Sequence, residues 1–312
     1  MTGPRTNAPD RIGIGFASAA AMLYGAAYVA TAIALADFTP LSAALWRGVI
    51  GAAVIGLFLA LPVAARLRPA GLTRAAAWRL LVLGSVGGSA FIVAMNVAVA
   101  HAGATVTAFV AGLYAVVAAV LAIPLLRERL EGATLVALLA ALVGTLLLAD
   151  LEPTGRSGGG VAVGLLAALC FGLFLVLSRR WSTAFGLTSP TVALASLLLS
   201  AATVALLGAA LGEPALPPSP RADALGAVVF LGAGPGAVAA ILVVSAMRRL
   251  PARHASAMLL LNPPTAAVAA WLLLDERLSA TQLLGGAVVL LAIAAATVGR
   301  RSVPAHANGS PT

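Results

Sequence analysis

The sequence predicts an all-α polytopic membrane protein, ten transmembrane helices in two inverted five-helix repeats, from three observations. Composition is the first: the 312 residues are 61% hydrophobic and 9% charged, with a mean hydropathy of +1.05. A globular domain is about 25% charged, so this chain cannot clothe itself in an ordinary wet surface. The second is the length of its apolar runs, many of which reach the roughly 20 residues a helix needs to cross hydrocarbon. The third is a charged word written twice, Glu128-Arg129-Leu130 and Glu276-Arg277-Leu278, 148 residues apart.

Backbone groups cannot go unpaired in lipid, and continuous apolar runs without period-2 alternation choose helices over a barrel. The first span, 12–35, follows Arg5 and Arg11 and ends AYVATA, which resembles a leader's cleavage site. It is long enough to span and many such stretches follow, so retention is expected. The second, 41–62, opens with PLSAALWRG and carries Arg47. The third, 76–99, holds Gly84 and Gly88 as a G-x-x-x-G, and the fourth, 104–126, runs into LLRERL. The fifth, 133–149, is the shortest, and EPTGRSGGG follows it as a linker. The remaining spans are 159–178, 190–211, 222–247 with Gly232 and Gly236, 252–274 with Asn262-Pro263-Pro264, and 279–299. The expected organisation is a tail 1–11, a first repeat 12–149, a linker 150–158, a second repeat 159–299 and a tail 300–312.

All 19 basic residues are arginine. Fifteen fall in the N-terminus, 66–79, 127–131, 179–180, 248–253 and the C-terminus. Only Arg156, Arg221 and Arg277 fall on the other side, so the positive-inside rule places both termini in the cytoplasm, with the plasma membrane the expected site. Arginines in short loops between apolar runs speak for topology and against a nucleic-acid partner. The lone Cys170 allows no intrachain disulfide and reads as a small core residue.

The doubled word belongs to a duplication. Adding 148 carries Leu83-Gly84 to Leu231-Gly232 and Gly88 to Gly236. Tyr24-Gly25 matches Phe171-Gly172, and Thr39-Pro40 matches Ser189-Pro190, at offsets of 147 and 150. An odd number of spans per repeat turns the second repeat upside down, the arrangement typical of secondary transporters. One pattern in two opposite orientations gives inward-open and outward-open states of similar energy.

PLSAALWRG, the stretch NPPTAAVAAWLLLDERLSATQLLGGAVVLLA and the duplication together resemble the EamA family of the drug/metabolite transporter superfamily. The resemblance covers about 12–299. It implies a ten-helix fold that exports small organic molecules such as amino-acid-like solutes or drugs. The first repeat departs from the pattern, because Ala115 and Val116 stand where Pro263 and Pro264 project.

Candidate substrate-binding residues are the polar ones inside spans. Arg47 lies roughly 10 Å deep at 1.5 Å per residue, where a charge needs a partner, a wet cavity or a route to the interface. It could snorkel, bind helix carbonyls, or attract a carboxylate or phosphate. Asn262, Pro263 and Pro264 fall at mid-span, where the prolines should free the carbonyls of Leu259 and Leu260 and kink the helix. Tyr24, Tyr28, Asn96 and Tyr114 add polar contacts or simple packing. Glu128, Arg129, Glu276 and Arg277 are candidate helix-end caps, with gating or proton binding as the second reading.

No metal cluster, nucleotide fingerprint or nucleophilic triad is legible, so no cofactor, no metal and no catalytic residue are expected. The expected partners are a small-molecule substrate, membrane lipid and a coupling ion such as a proton, in a monomer or homodimer. A membrane-embedded enzyme, a channel and a non-transporting scaffold are the alternatives; the loops offer little beyond arginine to build a catalytic face.

Overall fold

The computed structural model describes residues 11–67, 73–126, 156–185, 189–247 and 261–298, together with 136, 139–140, 143–144 and 147. Every regular element among them is helical. The order is α1 (Arg11–Ala34), α2 (Pro40–Ala60), a 3₁₀ turn (Pro62–Leu67), α3 (Arg74–Leu83) and α4 (Phe91–Ala102). Then come α5 (Ala104–Ala111), α6 (Tyr114–Leu126), α7 (Arg156–Phe185) and α8 (Ser189–Leu211). The chain continues with α9 (Ala222–Leu231), α10 (Ala239–Met247), α11 (Asn262–Leu274) and α12 (Ala280–Val298).

Among the described residues, six helical stretches are long and apolar enough to cross a membrane: Arg11–Ala34, Pro40–Ala60, Arg74–Ala102, Gly158–Ser178, Pro190–Leu211 and Ala222–Leu242. The protein is a multi-pass membrane protein. Its outward helix faces carry Leu57, Leu206, Leu272, Leu273 and Leu291, all exposed, a surface suited to lipid. The interior is built from small residues: Ala20, Ala21, Ala34, Ala43 and Ala44 are fully buried. That choice follows from the solvent. Lipid is as apolar as leucine, so helices gain by close backbone approach rather than by escaping water.

Local signals set the helix ends. Thr39 caps α2, its Oγ1 accepting from the Ser42 N–H at 3.1 Å, with Pro40 in the first turn. Two expected spans are interrupted. α3 and α4 are joined by a π-helical segment, Gly84–Ala90, and α9 and α10 by another, Gly232–Val238. The N–H of Phe91 reaches back five residues to the carbonyl of Val86, and that of Ala239 to Gly234. The fourth expected span divides at Gly112 and Leu113 into α5 and α6. Most of the fifth span and the first part of the ninth lie outside the described residues.

The duplication returns in three dimensions. The π segments begin at Gly84 and Gly232, 148 residues apart. A Cβ on Gly25 of α1 would lie 2.6 Å from the Asn262 carbonyl oxygen, and one on Gly172 of α7 would lie 3.0 Å from that of Tyr114. Asn262 is Tyr114 plus 148. Helix α1 nests against α9, α10 and α11, while α7 nests against α4, α5 and α6. Helices α2 and α8 pair between the two groups.

Candidate functional site

Arg47 sits on α2 beside Gly48, where a Cβ would lie 2.9 Å from the Leu197 carbonyl oxygen of α8. The guanidinium is therefore carried by the pair of helices between the two nested groups. Arg47 is 6% exposed, and its Nε and Nη1 have no hydrogen-bond partner. No ion pair or hydrogen bond involves it among the described residues. The offset of 150 that relates Thr39-Pro40 to Ser189-Pro190 places Leu197 opposite it, so only one half of the duplication carries the charge.

Tyr24 and Tyr28 of α1 lie within electrostatic reach of Arg47, and Tyr114 of α6 lies within reach of both tyrosines. The close contact between Gly25 and Asn262 sets the start of α11 beside Tyr24. Asn262 is 6% exposed and its Oδ1 has no hydrogen-bond partner among the described residues. Tyr114 also packs edge-on against Phe171 at 5.0 Å, and Phe171 stacks on Phe91 at 4.6 Å and on Phe174 at 5.7 Å. The structure thus gathers Arg47, Tyr24, Tyr28, Tyr114 and Asn262 into one interior region, with unpartnered polar atoms and an aromatic wall. Unsatisfied buried polar groups cost about 1–3 kcal/mol each, so a cluster of them calls for a ligand or water.

The remaining candidates are placed differently. Asn96 donates through Nδ2 to the Pro40 carbonyl at 2.9 Å, which ties α4 to the start of α2, while its buried Oδ1 has no partner among the described residues. Pro263 and Pro264 do not interrupt a described helix. Within the described residues they stand at the start of α11, directly after Leu261, whose backbone is itself in the right-handed helical region. The expected kink at Leu259 and Leu260 lies outside the described residues, as do Glu128 and Arg129. Arg277 is 81% exposed at its side chain, 3.7 Å from Asp275, an ion pair worth little at such exposure.

Glu276 is set apart from these. Its Oε1 accepts from the Ala104 N–H at 3.0 Å, and its Oε2 accepts from the Thr105 N–H at 3.1 Å and the Thr105 hydroxyl at 2.7 Å. A carboxylate on the chain after α11 thereby closes the N-terminus of α5.

Several contacts were not legible in the sequence. Asp37, in the turn after α1, accepts from the Arg221 backbone N–H at 2.7 Å and from its Nε at 3.2 Å. The Arg221 bonds hold the Asp37 carboxyl below the usual carboxylate range, the backbone bond most of all. Trp46 donates through Nε1 to the Ala215 carbonyl at 2.9 Å. A cavity of about 120 Å³ lies between the start of α2 and the end of α8, with Ser42 and Glu213 among its lining. Arg47 does not line it.

Comparison with known proteins adds identity to this geometry. The model of the EamA-like transporter family matches twice, over residues 11–149 and 158–298. None of the curated proteins matches. One solved crystal structure aligns over 92% of this chain and 96% of its own with a TM-score of 0.66 at 21% identity, a likeness of fold. With two matches spanning nearly its whole length, the chain belongs to the EamA-like transporter family, within the drug/metabolite transporter superfamily.

Proposed function

We propose that the protein is a secondary transporter that exports small organic solutes from the cell by alternating access. In this reading ten spans form two inverted repeats in the plasma membrane, with both termini cytoplasmic. Arg47 attracts an anionic group on the solute, while Tyr24, Tyr28, Tyr114, Asn262 and Asn96 supply neutral polar contacts, and an ion gradient, such as that of protons, drives the cycle.

The observation that carries this reading is the Arg47 guanidinium, buried with Nε and Nη1 unpartnered among the described residues, in a chain whose two halves both match a transporter family. An ionised group inside a membrane domain costs roughly 2.5 to 3.5 kcal/mol on insertion scales. A purely structural arginine would recover that cost by saturating its donors on carbonyls or a carboxylate. A guanidinium with Nε and Nη1 open suits a planar carboxylate or phosphate. The reading is tested by reconstituting the protein in liposomes loaded with amino acids, nucleosides, sugars or cationic drugs. Saturable flux of at least one solute that needs Arg47 supports it. Absence of any protein-dependent flux across the panel would sink it.

A further inference from the structure

The transport reading leaves open what holds the path shut, and one contact bears on that. The path must run between the two nested groups, α1 with α9–α11 on one side and α7 with α4–α6 on the other. Where α5 meets α11, the seam is made of small side chains. Ala104 and Ala108 are at 0% and 1% exposure, Ala266 and Ala270 at 0%, and Tyr28 packs into the same cluster. The seam therefore closes over a residue of the Arg47 region.

At the end of that seam stands the Glu276 carboxylate. Asp275 takes a left-handed conformation, φ 54°, which short polar residues tolerate, and turns the chain off α11. The Glu276 N–H then bonds back to the Ala270 carbonyl at 3.3 Å, and the side chain reaches across to α5. The receiving end is shaped for it. Gly103 has φ +80°, and a Cβ there would lie 2.9 Å from Oε1. Two backbone donors, one hydroxyl and the positive end of α5 then meet one carboxylate. Arg277 faces solvent and makes no competing bond to it. The Asp37 bonds to Arg221 are of another kind, because they join the turn after α1 to α9 within one nested group. Among these two carboxylate contacts, only Glu276 crosses the seam.

We infer that Glu276 is a latch on the outer end of the transport path, and that the outward-open state forms only when its carboxylate leaves the N-terminus of α5. The inference rests on the transport reading for the words outer and path. The contact itself is geometric.

The test places spin labels on the full-length protein at His101→Cys and Arg277→Cys, with Cys170→Ser, and measures the distance distribution in lipid. Both labelled positions are exposed and stand on opposite sides of the seam. Glu276→Gln removes the charge, and the population at long separation should rise about tenfold, the typical worth of a hydrogen bond to a charged group. Thr105→Val removes only the 2.7 Å hydroxyl bond and should move the distribution the same way by less. It serves as the reading should the glutamine variant fold poorly. Wild-type distributions in folded Glu276→Gln and Thr105→Val would overturn the latch, as would an equal shift produced by Asp37→Asn. Flux measured in parallel separates the two readings: a distance shift without saturable flux in wild type keeps the latch and removes the transport path.

Discussion

Ser200 of α8 donates its hydroxyl to the backbone carbonyl of Gly88, 3.1 Å away and 112 residues earlier in the chain. Gly88 lies in the first π segment, where a widened turn leaves carbonyls free to accept a side chain from a neighbouring helix. The contact is possible because Gly88 has no Cβ: one there would run into the Ser196 carbonyl oxygen. Gly88→Ala should therefore force α8 away and destabilise the fold by about 1–3 kcal/mol, as overpacking does. Ser200→Ala should cost about 1 kcal/mol, the loss of one buried hydrogen bond. Thermal unfolding in detergent, followed by size-exclusion, checks both; an unchanged midpoint in Gly88→Ala would show that α3 and α4 do not depend on this approach.

The Asp37–Arg221 bonds carry a pH prediction whose sign is fixed. The folded state holds the Asp37 carboxyl below its ordinary value of 3.8, so the contact's stabilisation is fully present above that value. It is lost as pH falls through the lowered folded value. Asp37→Asn should thus lower the unfolding midpoint by an amount that stays constant from pH 8 to pH 5 and shrinks only in stronger acid. A difference that fades between pH 7 and pH 5 would contradict the depressed carboxyl.

Orientation can be read chemically. With Cys170 replaced by Ser, single cysteines at Glu131 and at Ser279 should respond oppositely to an impermeant thiol reagent on intact cells, the second labelled and the first spared. Labelling of both from one side would remove the inverted arrangement of the two repeats.

Much of the fold was legible because membrane helices announce themselves by length and apolarity, and because the duplication leaves a fixed offset. Leu83-Gly84 and Leu231-Gly232 mark the entries to both π segments, though nothing in the sequence distinguishes a π turn from an α turn at a Gly-rich stretch. The division at Gly112 and Leu113 was missed for the same reason: the apolar run is unbroken there. Arg47, Tyr24, Tyr28, Tyr114 and Asn262 could be picked out as polar residues in apolar runs, but their convergence depends on helix pairing. The partners of Glu276 and Asp37 were hidden by separations of 171 and 184 residues. The available signal was scarcity. With ten acidic residues in 312, each carboxylate beside a helix end invites a search for the amide it caps.

The proposed role of Arg47 is tested most directly by flux in proteoliposomes of wild type, Arg47→Lys and Arg47→Gln, each with an anionic, a zwitterionic and a cationic solute and with folded yield measured alongside. Lysine keeps the charge but loses the planar fork, so some transport should remain at weaker apparent affinity. Glutamine should lose most flux of the carboxylate-bearing solutes, by about tenfold or more for a lost charged hydrogen bond, and little of the cationic one. Equal loss of all three solutes at normal folded yield, or unchanged flux of all three, would contradict an anion-binding Arg47.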